Sequence, residues 1–409
     1  MSDLSNANAL DPAVNRPLAD GVDHRGQPPV ALVTYTTRPR GGVVHTLYLA
    51  EALTRLGRQV HVFALGEPAL GFFRSVDAPF TIIAAPAQAP TLEERVFASI
   101  DALTRELGPV LDGRYPLVHV QDCIAARAAV ALRDRGAPIQ VIRTVHHVDD
   151  FTTEALVECQ RRSVLDPDHL LVVSRYWRER LASEFGVDAT IVRNGVDATR
   201  FTTPTELGAD LRSRVGADDR MLFLTVGGIE PRKGSRELIE ALAIVRDELD
   251  PPPVLAVVGG HSFQDHRDYR DQVLDRAEAL ALDGALALVG TVADAELPAW
   301  YHAADAFLFP SVKEGFGLVV LEAMAAGLPV VTSDIPVFRE YLHDGRDALL
   351  VPAHDADALA GAMLRLAYDT ELRSALAAAG PDVAAVYTWE DCAGQHADFY
   401  ERVTTAHQP

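Results

Sequence analysis

The feature that most limits the fold is a rhythm. Short apolar, β-branched runs alternate with amphipathic helical stretches, and the alternation occurs twice along the chain. Pro29–Tyr35 (PVALVTY) is a continuous apolar run, and Val43, Leu47, Ala50 and Leu53 then recur at the spacing of one helix face. Strand-like runs follow at 59–65, 80–84, 117–120, 139–145, 170–173 and 190–192, with helical stretches near 91–107, 123–135, 152–165 and 175–185. Runs that are apolar throughout belong to strands covered on both faces, and intervening helices make such a sheet parallel. The pattern pauses over 204–219 and restarts. Strands are predicted at 221–226, 254–258, 285–289, 306–309 and 329–332, with helices near 235–248, 266–282, 294–303, 317–326, 355–368 and 371–379. The expectation is an α/β protein of two doubly wound domains facing a central cleft, at residues 29–203 and 204–385. A polar tail over 1–28, expected to be disordered, precedes them, and one more helix near 389–403 closes the chain.

Composition narrows the functions. The 409 residues suit two domains, and 48% apolar with 23% charged residues is globular usage. Lys and Arg total 37 against 58 Asp and Glu, a net charge of −21. That balance excludes non-specific nucleic-acid binding and obliges any phosphate site to gather its cations locally. Cys123, Cys159 and Cys392 lie far apart without CxxC spacing, which argues against a disulfide framework or structural zinc and for a reducing compartment. No signal-peptide core and no apolar run of roughly 18 residues are present, so a cytoplasmic protein without a transmembrane segment is expected. Only two lysines occur, Lys233 and Lys313, among 35 arginines.

The most informative segment is Phe309–Thr332 (FPSVKEGFGLVVLEAMAAGLPVVT). It reads as a strand, a glycine-containing turn, a helix starting near Gly317, and another strand. The unpaired N–H groups of that helix start, at Gly317, Leu318 and Val319, suit an anion, and Gly315 and Gly317 let a phosphate come close. Glu322 follows Leu318 by four residues, one turn on along the same face, where a carboxylate can accept both hydroxyls of a ribose diol. Glu314 stands before the turn. Either glutamate alone would read as surface decoration; the whole string does not.

This segment resembles the E-x7-E motif of retaining GT-B nucleotide-sugar glycosyltransferases of the family-4 type, with Glu314 and Glu322 as its glutamates. The resemblance runs from about residue 29 to 405. It includes Val226-Gly-Gly-Ile-Glu-Pro-Arg-Lys-Gly234, Val258-Gly-Gly260, Leu288–Val292, Ala304-Asp-Ala306, Arg193-Asn-Gly-Val-Asp197 with Phe201, Arg40-Gly-Gly42 and Thr144-Val-His146. It implies two Rossmann-like domains, the first on the acceptor side and the second binding a nucleoside-diphosphate sugar. The last helix, 386–409, would cross back to the first domain. It also implies retention of anomeric configuration without metal or other cofactor. The catalytic residues would be Glu314, His146 and Lys233. Donor contacts would come from Arg232, Lys233, Val292, Glu314, Gly315, Phe316, Gly317, Leu318, Glu322, Gly41 and Gly42, with base recognition by backbone around Val292.

Chemistry agrees with that assignment. Breaking a sugar–phosphate bond puts negative charge on the departing diphosphate, which Lys233, Arg232 and a helix start can stabilise. One departure stands out: the family carries an arginine five residues before the phosphate lysine, and this chain has Gly228. Arg232 is the expected replacement. Asp355-Ala-Asp357 has the D-x-D form of metal-dependent enzymes, yet it follows Pro352 and opens a helix, where aspartate caps. His119 is read as structural. The loop Ala69–Phe73 is open to packing beneath the sheet or to contact with an acceptor or membrane surface. A phosphorylase of the same fold and a silent nucleotide-sugar-binding protein are the alternatives. A dinucleotide-binding dehydrogenase is disfavoured, because no Gly-x-Gly-x-x-Gly follows the first strand. The acceptor, sugar, small molecule or lipid-linked glycan, is not spelled by any motif.

Overall fold

The structure is a computed structural model that describes residues 26–111, 113–204, 206–260 and 266–405. The expected polar tail therefore lies outside the described residues up to position 25, as do the last four residues of the expected closing helix. The described residues form two compact units, one of residues up to 171 joined by those from 393 on, the other of residues 172–392.

Strands β1 (Val30–Thr34), β2 (Val60–Gly66), β3 (Phe80–Ala84), β4 (Leu117–Val120), β5 (Gln140–Val145), β6 (His169–Val172) and β7 (Thr190–Ile191) form one sheet. Its order is β3-β2-β1-β4-β5-β6-β7, and β3 through β5 pair in parallel. Every residue of β1 and β4 is buried, as strands covered on both faces must be. Helices α1 (Gly41–Arg55), α2 (Leu92–Leu111), α3 (Cys123–Asp134), α4 (Glu154–Leu165) and α5 (Arg175–Phe185) connect them. The strand order reverses between β1 and β4, so the loops leaving those two strands diverge and open a crevice at their carboxyl ends. Asp122 ties that place together: one carboxylate oxygen caps α3 at Ala125 N (2.8 Å) and the other accepts from Tyr35 N (3.0 Å).

The second unit adds α6 (Ala198–Thr202) and α7 (Gly208–Arg214) before a six-stranded parallel sheet. Its strands are β8 (Leu222–Val226), β9 (Val254–Val258), β10 (Leu286–Gly290), β11 (Ala306–Phe309), β12 (Val330–Ser333) and β13 (Leu349–Val351), ordered β10-β9-β8-β11-β12-β13. Helices α8 (Ser235–Glu248), α9 (Arg267–Ala279), α10 (Leu297–Ala303), α11 (Leu318–Ala325), α12 (Ala356–Tyr368) and α13 (Thr370–Ala384) cover it. Here the order reverses between β8 and β11. The three-residue β13, followed by Pro352, escapes a reading based on longer apolar runs. Helices α2 and α13 also outrun the expected ends at 107 and 379, passing through Pro109 and Pro381. Both prolines stand within the last four residues of their helices, so only the final turn loses a backbone donor.

The final helix α14 (Trp389–Thr405) belongs to the first unit from Ala393 on, in keeping with the expected return. Its Tyr400 is fully buried. Asp355 caps α12 by accepting from Ala358 N (2.8 Å), the role read from sequence. In the loop after β2, Phe72 is buried edge-on against Phe80 while Leu70 is 69% exposed, so the packing and the exposed uses of that loop fall on different residues. Among the described residues no helix is long and apolar enough to cross a membrane.

Candidate active site

The loops leaving β8 and β11, the two strands at the reversal, carry the charged residues. After β8 the chain passes Gly227 and Gly228 and makes a short 3₁₀ turn over Pro231–Lys233. Proline fits the first position of such a turn because its missing N–H would be unpaired there anyway. The turn is fastened to the loop after β11: Ser311 Oγ (2.9 Å) and Val312 N (2.8 Å) both donate to the Arg232 carbonyl. Lys233 Nζ lies 2.6 Å from Glu314 Oε2 and 4.3 Å from the centre of the Phe309 ring. Arg232 Nη1 approaches the same Glu314 oxygen at 3.4 Å, and its Nε donates to Glu230 Oε2 at 3.0 Å. Adjacent cationic side chains thus converge on one carboxylate, although both stand in the short 3₁₀ turn. Burial, and then the neighbouring Arg232 charge, push Lys233 below the usual ammonium range, against the pull of Glu314.

Gly228 has a steric reason. A Cβ built there would lie 2.5 Å from the carbonyl oxygen of Gly260, in the loop after β9. The backbone occupies the space that the expected arginine would need, so the departure is part of the loop packing. Glu230, given no role of its own in the sequence reading, is 5% exposed and holds the Arg232 Nε.

The turn from Glu314 to Gly317 leads into α11, which begins at Leu318 with Gly317 as its cap. Gly317 has φ of 91°, and a Cβ on it would lie 2.6 Å from Phe338 Cε1, so both conformation and space require glycine. Gly315 N donates to Glu314 Oε1 (3.1 Å), so both oxygens of that carboxylate are engaged. Gly315, Phe316 and Gly317 are buried, while Leu318 and Val319 are half-buried at the helix start. Glu322, one turn further, is 9% exposed and accepts from the hydroxyl of the fully buried Tyr301 (2.8 Å). Burial raises its pKa, opposed by the Tyr301 hydrogen bond and the charge of Arg200; Asp294 adds to the rise. Asp294 pairs with Arg200 (3.0 Å) and stands two residues after Val292, so the loop after β10 lies near Glu322. Val292 itself packs against the core.

In the first unit, the structure gathers Gly41, Gly42 and His146. The two glycines are the first residues of α1 and do not form a separate turn before it, since Arg40 is the cap. A Cβ on Gly42 would lie 3.6 Å from the His146 ring. His146 is half-buried, Nε2 lies 3.1 Å from Gln121 Oε1, and its ring meets that of His45 edge-on at 4.8 Å. His119 is fully buried, with Nδ1 2.7 Å from the Tyr400 hydroxyl and Nε2 2.7 Å from Thr144 Oγ1. That arrangement fits the structural reading.

Sequence reasoning missed Tyr301, Glu230, Trp177 and Gln121. The available signal was general: a buried tryptophan or tyrosine must find a partner for its polar atom. Among the described residues no three or more His, Cys, Asp or Glu are placed to hold a metal ion.

The family described as Glycosyl transferases group 1 matches residues 210–383, and Glycosyltransferase Family 4 matches residues 39–200. A phosphatidyl-myo-inositol mannosyltransferase of Mycobacterium leprae is 32% identical, over 90% of this chain and 94% of the relative. A GDP-mannose-dependent alpha-(1-6)-phosphatidylinositol monomannoside mannosyltransferase of Mycobacterium tuberculosis is 29% identical, over 90% and 97%. Sucrose-phosphate synthase from Thermosynechococcus elongatus shares the fold, with a TM-score of 0.79 at 23% identity over 93% of this chain and 100% of that one. The two sheets and their glycine-bearing loops are those of GT-B glycosyltransferases, and the chain belongs to their family-4 type. It is an enzyme of glycosyl transfer.

Proposed function

We propose that the enzyme moves a sugar from a nucleoside-diphosphate sugar to an acceptor, retaining anomeric configuration and using no metal. The observation that carries this reading is the convergence of Lys233 and Arg232 on Glu314 beside the start of α11. A diphosphate drawn to this place would share the two cations with Glu314 and meet the free amides of α11. Fixed dipoles and cations of this kind stabilise a leaving group without reorganising during the reaction. Glu322, held by Tyr301, is assigned to the ribose, with the loop at Val292 under the base. Glu314 is assigned to the sugar side of the diphosphate; a catalytic role for His146 and donor contacts by Gly41 and Gly42 rest on the family resemblance alone. The relatives' names make GDP-mannose the first donor to assay, and inositol-bearing acceptors the first partners.

The test separates the two glutamates. Glu322→Ala should weaken nucleoside-diphosphate binding by about 1.5–3 kcal/mol, whereas Glu314→Ala should leave it intact and lower turnover. Calorimetry and initial rates on both variants, after exhaustive dialysis against EDTA, decide it. Equal loss of nucleotide affinity in the two variants, or activity that returns only with added manganese, would sink the assignment.

A further inference from the structure

Resting on the reading above, we infer that Trp177 and Tyr341 are positioning residues that set the peptide planes of the Glu314–Gly317 turn. The turn belongs to neither a helix nor a strand, so its carbonyls need partners from elsewhere. Trp177, fully buried on α5, donates its indole N–H to the Glu314 carbonyl at 2.9 Å. Tyr341, 7% exposed, donates its hydroxyl to the Phe316 carbonyl at 2.8 Å.

In a trans peptide the N–H points opposite to the carbonyl of the same plane. Holding the Glu314 carbonyl therefore aims Gly315 N–H away from Trp177, where it reaches Glu314 Oε1 at 3.1 Å. Holding the Phe316 carbonyl likewise aims Gly317 N–H away from Tyr341, among the donors that lead into α11. Two carbonyls thus orient one carboxylate and one amide. The two holding side chains are themselves joined, because Glu340, next to Tyr341, accepts from Arg175 N (3.0 Å) and Tyr176 N (2.8 Å) at the start of α5. Tyr341 also stacks on Phe316, with ring centres 5.6 Å apart. The circuit runs from α5 through Glu340 and Tyr341 to Phe316, then Glu314, and back to Trp177. Each donor acts on the turn through a main-chain carbonyl.

Trp177→Phe keeps a ring and removes the donor. Hydrogen exchange of the segment spanning Glu314–Leu318 should then quicken by about tenfold or more, while the rest of the second unit exchanges as before. With GDP-mannose and UDP-glucose as probes, kcat should fall by about 10- to 100-fold, because a misplaced catalytic group costs rate even when the ligand still binds. Affinity for GDP and UDP, set by Glu322 and Lys233, should stay within about twofold. Unchanged exchange overturns the proposal, as does faster exchange with normal kcat. So does a joint loss of affinity, kcat and melting temperature, which would make Trp177 a packing residue. Where Trp177→Phe does not fold, Tyr341→Phe carries the same test at Gly317. Should the wild type turn over no nucleotide sugar, the proposed function is what fails, and exchange alone decides the positioning.

Discussion

The two sheets reverse their strand order in the same way, yet the residues placed at the two reversals differ in kind. At β8 and β11 the second unit gathers an ammonium, a guanidinium and two carboxylates within a few ångströms. At β1 and β4 the first unit gathers imidazoles, hydroxyls and an amide: His45, His119, His146 and His396 with Tyr400, Thr144 and Gln121. One crevice is built to hold and exchange charge, the other to hold hydrogen-bonded groups in place. The shared topology supplies the position, and the chemistry comes from which residues the loops bring there.

The largest expected effect probes the uncharged side. His146→Ala should cut turnover on the order of 10²-fold with almost no change in melting temperature, since the residue is half-buried and hydrogen-bonded to a side chain. A large loss of stability with normal activity would make both crevices look alike, with His146 a core residue. Next comes the charged side. Arg232→Ala and Lys233→Ala should each raise the donor dissociation constant by roughly 10- to 100-fold. Donor binding by Arg232→Ala that matches the wild type would mean that Glu230 merely tethers a surface side chain.

The smallest effect separates the units by pH. Burial, with charges on His396 and His146 adding to it, holds His119 well below the ordinary imidazole range. Burial, helped by Arg114, brings His61 down to about 4. The unfolded chain binds these protons near pH 6.5 and the native chain does not, so stability falls as pH drops from 6.5 toward 4. Asp122, raised by burial to about 6, opposes this, because the native chain takes up that proton first. His61 alone should contribute a loss on the order of 1 kcal/mol by pH 5.5. His61→Gln should therefore lose less melting temperature than wild type between pH 7 and 5.5. Parallel curves would refute the assignment.

Much of the charged crevice was legible. Lys233, Arg232, Glu314 and Glu322 sit in short segments whose loops and helix start could be read locally; the structure brings the first three together and pairs Glu322 with Tyr301. Their supports were not legible, because a buried polar atom finds its partner through the fold. Trp177 lies 137 residues from the carbonyl it holds, and Tyr301 lies 21 from Glu322. Gly228 was legible as a departure, but its cause, the carbonyl of Gly260, belongs to a neighbouring strand's loop. The alternating runs announced both sheets, while β13 was too short to register and two prolines hid the true ends of α2 and α13.

The return of α14 sets an order on biosynthesis. His119 and Tyr400 are 281 residues apart in the chain and 2.7 Å apart in space, and both are buried in the first unit. A ribosome adding about 5–20 residues per second needs about 14 to 56 seconds to travel from one to the other. Throughout that interval the nascent first unit carries an uncovered patch around His119, while all of residues 172–392 emerge after it. The unit made first is thus the unit completed last.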